Sequence, residues 1–557
     1  MLKPMLKPIS LAVLLASCSV ALAADIDILD KQRKEAPAPK SLPSLEIVDD
    51  AAKTGNDLSQ RFILGSLQVE GVTVFSAAEL TAPYQSLYGT ETSFQHIRSI
   101  ADELTRKYRD AGYLLSRVIL PTQQGDPKNA RVRLVAIEGY ISAIEYQGEA
   151  ELVERFKSYW LGVEQKLLAL RPLKHTDFER ELLILQDMPS LRVSSRFKEA
   201  SVPGGSVLVL ELTKKPFDLS ASWGNTGTQS AGHGIATVTA GLNALPFIGA
   251  KTTISYSQAN DRREYYSTQI AHSHQFSNGL IASASYAYSK SPEPDSEFAR
   301  LFDYETRSKT FTAGLSYPFI RSRDINLSAG LSYEHRNSES DLIGARYTTD
   351  HLRDLILDVN FDFSDEWGGT TQIIPSLTRG LNWYDATDRD PNASTPIAPA
   401  VFTKGKLYLS RNQSLSHDFS LFAAAEAQYS DSPLSSYNRY SLGGNQFGRG
   451  YDPGIIENDK GLAASLEGRW NGNLSGHTVQ PFIFIDWGKT WADKRLNGSL
   501  QKEYLASAGI GARLMGNLPG TTPLRFSLTA FVGKPQRAVS DARTSDERYM
   551  LQGVLSF

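Results

Sequence analysis

From about Phe217 to the last residue, apolar side chains recur at every second position in short runs. In Leu355–Phe363, residues 355, 357, 359, 361 and 363 are apolar and alternate with Asp358, Asn360 and Asp362. In 462–470, Leu462, Ala464, Leu466 and Trp470 oppose Ser465, Glu467 and Arg469; in 280–288, alanine, leucine and tyrosine oppose a largely serine face. A period of two means extended strands with one apolar and one polar face. A soluble sandwich and a lipid-embedded barrel share that pattern, so the connections must decide. About sixteen candidate strands centre near residues 221, 239, 254, 270, 285, 312, 330, 359, 378, 406, 424, 466, 484, 510, 529 and 553. From the fifth onward, long connections (289–307, 336–352, 384–400, 430–460, 489–504, 534–548) alternate with short ones (near 318–324, 364–371, 412–418, 472–478, 516–523). Long loops on one side and tight turns on the other fit an outer-membrane barrel, and an even strand count returns both barrel ends to one side.

The N-terminus reads as an export signal over 1–23: Lys3 and Lys7, an apolar run from Ile9 to Ala16, then Ala21-Leu22-Ala23 before Ala24. Leu15-Ala16-Ser17-Cys18 offers an alternative in which Cys18 becomes a lipidated first residue. Beyond the signal there is no run of about 18 apolar residues, so no transmembrane helix is expected. The net charge of −3 gives no polyanion-binding signature, which argues against nucleic acid as partner. One cysteine excludes an internal disulfide and cysteine-based metal clusters. Residues 24–60 read as a tether: Asp27–Glu35 could form two helical turns that plug a pore, and Pro37, Pro39 and Pro43 impose an extended linker.

Between tether and barrel, one plan occurs twice. In 61–139 a strand over Phe62–Val69 precedes a helix over Ser76–Leu87. A longer helix follows, with Ile97, Ile100, Ala101, Leu104 and Tyr108 in one stripe, stopped by Gly112. Strands over Leu115–Leu120 and Arg131–Ile137 close the unit. In 140–215 the order repeats as strand Ile141–Tyr146, helices Glu151–Trp160 and Thr176–Leu185, and strands Leu191–Phe197 and Val207–Leu212.

The run Tyr108-Arg109-Asp110-Ala111-Gly112-Tyr113-Leu114-Leu115-Ser116-Arg117-Val118, continuing to Leu120-Pro121, resembles the hallmark of the first POTRA domain in two-partner secretion transporters. Its marked positions are Tyr108, Gly112, Tyr113, Arg117 and Pro121. A second resemblance lies in the connection 430–460. There Leu442-Gly443-Gly444-Asn445-Gln446-Phe447-Gly448-Arg449-Gly450-Tyr451-Asp452 is similar to the Arg-Gly-Tyr motif of the sixth external loop in the POTRA-plus-barrel superfamily. Gly448 departs from that pattern, where an aliphatic or aromatic residue is more usual. The resemblance implies that this loop folds into the lumen and that Arg449 pairs with Asp486 of Phe484-Ile485-Asp486 on the thirteenth strand. Alternation points Phe484 and Asp486 inward and Ile483, Ile485 and Trp487 to lipid. A guanidinium in a narrow lumen needs such a partner, and its planar fork suits a carboxylate. The closing run Tyr549, Leu551, Gly553, Leu555, Phe557 ends on an aromatic, resembling the signal read by the outer-membrane assembly machinery.

The expected architecture is two α+β POTRA modules (61–139 and 140–215) followed by an antiparallel all-β barrel of about 16 strands over 216–557. The implied function is export of a partner exoprotein, of the large β-helical adhesin or haemolysin class, with outer-membrane lipid and the assembly machinery as further partners. His272 and His274 would share a strand face, but no third metal ligand accompanies them. Asp303 and Glu305 read as a solvated acidic loop tip. No nucleophile elbow, phosphate loop or zinc-helix motif occurs, so neither catalytic residues, a metal nor a cofactor is expected. Two rival readings remain. An assembly factor would carry a longer module array, and a passive porin has no use for folded modules before its barrel.

Overall fold

The computed structural model describes residues 57–123, 126–228, 231–292, 302–492, 501–518, 524–537, 539 and 547–557. The signal segment, Cys18 and the Asp27–Glu35 helix expected above lie outside the described residues.

The first module is a four-stranded sheet with helices on one face. Strands β1 (Arg61–Glu70), β2 (Glu91–Ser93), β3 (Arg117–Ile119) and β4 (Ala130–Ile137) run in the order β2-β1-β4-β3, with β1 parallel to β4. Helix α1 spans only Ala77–Thr81, started by a capping box between Ser76 and Glu79. The helix expected over Ser76–Leu87 breaks there because Pro83 lacks the N–H that a continuing helix needs; a 3-10 turn over Gln85–Leu87 replaces the rest. Helix α2 (Phe94–Asp110) buries Ile97, Ile100, Ala101, Leu104 and Tyr108 on the sheet. The second module repeats the core: β5 (Tyr140–Gly148), β6 (Leu191–Glu199) and β7 (Gly205–Lys214) in the order β5-β7-β6, β5 parallel to β7. Its first expected helix is split at Phe156 into α3 (Ala150–Arg155) and α4 (Lys157–Leu168); α5 spans His175–Gln186. Trp160, Phe178 and Leu182 centre its core.

The barrel is closed and antiparallel. Its strands are β8 (Phe217–Gly224), β9 (Ile235–Asn243), β10 (Ala250–Ala259), β11 (Tyr266–Gln275), β12 (Ile281–Ser291), β13 (Tyr304–Arg321), β14 (Ile325–Leu342) and β15 (Ala345–Ser364). They continue as β16 (Gly369–Gly380), β17 (Thr403–Ser414), β18 (Phe419–Ser430), β19 (Lys460–Trp470, prolonged by Gly472–Leu474), β20 (His477–Ala492), β21 (Gln501–Leu518), β22 (Leu524–Pro535) and β23 (Arg548–Ser556). Each of the sixteen expected centres falls inside one of them. Five residue pairs between β23 and β8 close the ring, and the Phe557 ring stacks on Phe217 at 5.2 Å.

One expected loop is strand instead. Across 336–352, β14 and β15 stay paired up to Leu342↔Ala345. A two-residue turn joins them at Ile343-Gly344, with φ of 52° and 71°. The apolar alternation stops there because ion pairs replace it on the outer face: Arg307 Nε to Glu339 at 2.6 Å and Arg346 Nε to Asp341 at 2.6 Å. Strands also run further than expected into 289–307 and 489–504.

The second module is bolted to the short-turn side. Arg321 grips Asp187 with two bonds of 2.7 and 3.0 Å. Arg180 donates to the Tyr317 hydroxyl and the Pro318 carbonyl at 3.0 and 3.2 Å, and Gln275 donates to the Ile184 carbonyl at 2.6 Å. Ile248, from the turn after β9, completes the module's own core.

Candidate functional site

Helix α2 must end where the chain turns back, and the marked residues of the first module are what ends it. Gly112, at φ 90°, donates to the Arg109 carbonyl at 2.9 Å, and Tyr113 donates to the Tyr108 carbonyl at 2.9 Å. That is the paired-bond helix stop of a Schellman motif, with the Tyr108 and Tyr113 rings in edge contact at 6.2 Å. Arg117 opens β3, and Pro121 follows its end. The same loop meets the second module where the Gly112 carbonyl accepts from the His175 N–H at 2.8 Å, and it ties down the end of its own module where the Ser116 hydroxyl accepts from the Gly139 N–H at 3.0 Å.

Beneath it, the buried Tyr108 hydroxyl donates to Glu138 at 2.8 Å. Glu138 also accepts from the Thr73 and Val74 N–H groups at 2.7 and 3.3 Å and from the Thr73 hydroxyl. Burial works against the Glu138 charge, but the donors from Thr73, Tyr108 and Val74 outweigh it and hold the carboxyl below its ordinary range. A depressed folded pKa adds stability above the unfolded value, about 4.3, which is lost as pH falls through the folded value. Glu138→Gln is therefore expected to weaken the first module at neutral pH and to flatten its acid unfolding below about pH 4. Limited proteolysis of the arm across that range reads both effects.

The barrel lumen holds the second group. The connection from β18 to β19 turns inward and carries a small sheet of its own, Tyr440–Leu442 against Ile456–Asn458. Phe447 and Tyr451 pack with Tyr408, Leu442 and Leu505 in one apolar cluster. Gly448 sits at φ 80°, and a Cβ there would lie 2.9 Å from Leu505. Both the backbone and the space thus demand glycine where the superfamily pattern has a larger residue. Gly450 runs so close to β22 that a Cβ would meet the Lys534 carbonyl carbon at 2.8 Å.

These approaches deliver Arg449 to the wall. Its Nε and Nη2 donate to the two Asp486 oxygens at 3.0 and 2.8 Å, and its own N–H reaches Asp486 at 2.8 Å. Nη2 also donates to Ser465 at 2.9 Å, Nη1 bonds Glu467, and the guanidinium lies 3.7 Å from the Phe484 ring centre. Asp486 and Phe484 face inward at 4 and 3 % exposure, while Ile483 and Ile485 face outward at 64 and 58 %. Glu467 is the residue that sequence reasoning left without a role. It also accepts from Arg469 and Arg513, each at 2.7 Å. The available signal was its inward parity on β19, where Ser465 pairs with Asp486 and Glu467 with Phe484. Tyr451 places its hydroxyl 2.7 and 2.8 Å from the Arg537 and Ala506 carbonyls. Asp452 lies 3.7 Å from Arg548 and 3.9 Å from His233. Arg548 in turn donates to the Arg449 carbonyl at 3.3 Å.

His272 and His274 both point outward: His272 bonds Thr252 at 2.9 Å, and His274 sits between the Phe247 and Phe276 rings. Among the described residues, no three metal-ligating side chains converge. Glu305 lies on β13 and pairs with Lys290 at 2.9 Å.

The family model described as haemolysin secretion/activation protein ShlB/FhaC/HecB matches residues 204–514, and the ShlB-type POTRA domain model matches residues 62–139. Heme/hemopexin transporter protein HuxB of Haemophilus influenzae (strain 86-028NP) is 23 % identical over 519 residues, covering 89 % of this chain and 88 % of that protein. Outer membrane transporter CdiB of Dickeya dadantii (strain 3937) is 23 % identical over 458 residues, covering 80 % and 78 %. Among solved structures, CdiB from Escherichia coli superposes with a TM-score of 0.70 at 19 % identity, covering all of both chains. CdiB from Acinetobacter baumannii gives 0.62 at 17 % identity, covering 97 % and 98 %.

Proposed function

Because this chain belongs to the haemolysin secretion/activation family of the ShlB/FhaC/HecB type, it is an outer-membrane transporter that exports a partner exoprotein, and we propose that its lumen loop gates the route. The POTRA arm lies in the periplasm. The client enters there: the outer strands of the two module sheets offer backbone edges to an extended segment, which adds by β-augmentation. The barrel then takes the unfolded chain through its lumen, and folding outside biases the direction. The client is a large β-helical adhesin or haemolysin. The transporter carries out no chemical step of its own. Its apolar outer face sits in outer-membrane lipid, and the Phe557 end is read by the assembly machinery during insertion.

The observation that carries the gate is the capture of Arg449 by Asp486, Glu467 and Ser465 on the wall. A buried guanidinium bonded to two carboxylates and a hydroxyl holds the loop tip in one position and releases it as a unit. The test of the whole reading is deletion of residues 61–215 with the barrel still inserted. Loss of one large exoprotein from culture supernatant, other outer-membrane proteins being normal, is the expected result. General loss of barrels would make the chain an assembly factor, and no change in either would make it a porin.

A further inference from the structure

Arg449 fastens the tip of the lumen loop; its stem is held as well, on another stretch of the barrel wall. A few residues after β18 the chain makes a 3-10 turn over Ser436–Asn438. The Asn438 amide donates to Asp354 of β15 at 2.9 Å and accepts from Lys404 of β17 at 2.7 Å, and its carbonyl accepts from Gln428 of β18 at 3.1 Å. The Tyr437 ring lies 3.8 Å from the Arg336 guanidinium of β14, and its hydroxyl is 3.4 Å from Glu334. Arg439 donates to Thr395 in the loop after β16 at 2.7 Å. Asn438, Asp354 and Arg336 are buried. The alternation that points Asp486 inward also points Glu334, Arg336, Asp354 and Lys404 inward.

The two attachments use different stretches of the wall. Arg449 binds β19 and β20, and its flanks touch β21, β22 and β23. Tyr437 and Asn438 bind β14, β15, β17 and β18. In the ring of sixteen strands the stem is held on the β14–β18 arc and the tip on the β19–β23 arc. Residues 440–448 run from that stem along the wall, with Tyr440 against Gly461 of β19, Leu442 against Gly488 of β20 and Phe447 in one cluster with Leu505 of β21.

We infer that Tyr437 and Asn438 are positioning residues that fasten the loop stem, so that the loop is pinned at its stem as well as at its tip. The inference rests on the gating reading. Releasing the Arg449 tip alone leaves the stem fastened to the wall, and full opening requires release of both. The two fastenings differ in kind. The Arg449 end is closed by a guanidinium shared between two carboxylates, whereas the stem is closed by an amide shared between an acid and a base.

The test uses the full-length purified protein in planar bilayers, with barrel insertion checked by resistance to detergent before heating. Arg449→Ala is expected to raise conductance by about twofold, and adding Tyr437→Ala and Asn438→Ala to raise it well beyond that. A triple variant no more conductive than Arg449→Ala would overturn the second fastening alone. An Arg449→Ala channel identical to the parent would overturn the gating reading and the stem fastening with it. Asn438→Asp puts two carboxylates face to face, and Asn438→Asp with Asp354→Asn restores an amide–carboxylate bond in the opposite sense. The first is expected to raise conductance and the second to return it to the parent value. A double variant as conductive as the single would overturn the direct contact.

Discussion

Arg449→Ala is expected to cut secretion of the client by about tenfold or more while the barrel remains folded in the outer membrane. The side chain supplies bonds to Asp486, Ser465 and Glu467, and none of these groups reaches solvent. Breaking a buried ion pair by removing one partner costs about 3–5 kcal/mol. At about 1.4 kcal/mol per factor of ten, the equilibrium constant for docking the loop tip falls by about two to three and a half orders of magnitude. The wall does not collapse with it: Asp486 keeps the residue-449 N–H and Ser507, and Glu467 keeps Arg469 and Arg513. Secretion is measured in supernatant against a fixed amount of heat-modifiable barrel. Normal secretion by the variant would remove Arg449 from any gating role.

The contrast between Arg449 and Glu467 shows what a sequence exposes and what it conceals. Arg449 stands in a glycine-rich run that no strand or helix would tolerate, and Asp486 shows its facing through the apolar neighbours Ile483, Ile485 and Trp487. Glu467 has the same parity, but its significance comes from three arginines brought together from 449, 469 and 513, and no local pattern encodes that meeting. The stem is concealed for the same reason: Asn438 meets Asp354 and Lys404 across 84 and 34 residues. Strand centres were legible because lipid demands alternation wherever the wall touches it. The upper part of the β14–β15 hairpin was not, since outward-facing ion pairs there satisfy the sheet without an apolar residue. In the first module Pro83 carried a plain warning of a broken helix that the apolar spacing on either side obscured.

Replacing Glu467 should do more harm than replacing Arg449, although the carboxylate is the less conspicuous partner. In the parent, Arg449, Arg469 and Arg513 face Glu467 and Asp486. Removing Arg449 leaves two guanidiniums with two carboxylates, a balanced group. Removing Glu467 leaves three guanidiniums with one carboxylate, inside a wall where Glu467 itself is 2 % exposed. Uncompensated buried charge is the costliest of these outcomes, and like charges at such separations repel strongly where water is scarce. The rings of Phe482, Phe422 and Phe484, at 4.1, 4.4 and 3.7 Å from Arg513, Arg469 and Arg449, offset part of the loss but cannot replace an anion. Glu467→Ala is therefore expected to abolish export and to lower the temperature at which the barrel unfolds in detergent, whereas Arg449→Ala spares that temperature. Adding Arg513→Ala removes one surplus charge and should recover part of the unfolding temperature without recovering gating. If Glu467→Ala instead left both the barrel and its export intact, charge balance would not be what holds the loop tip to the wall.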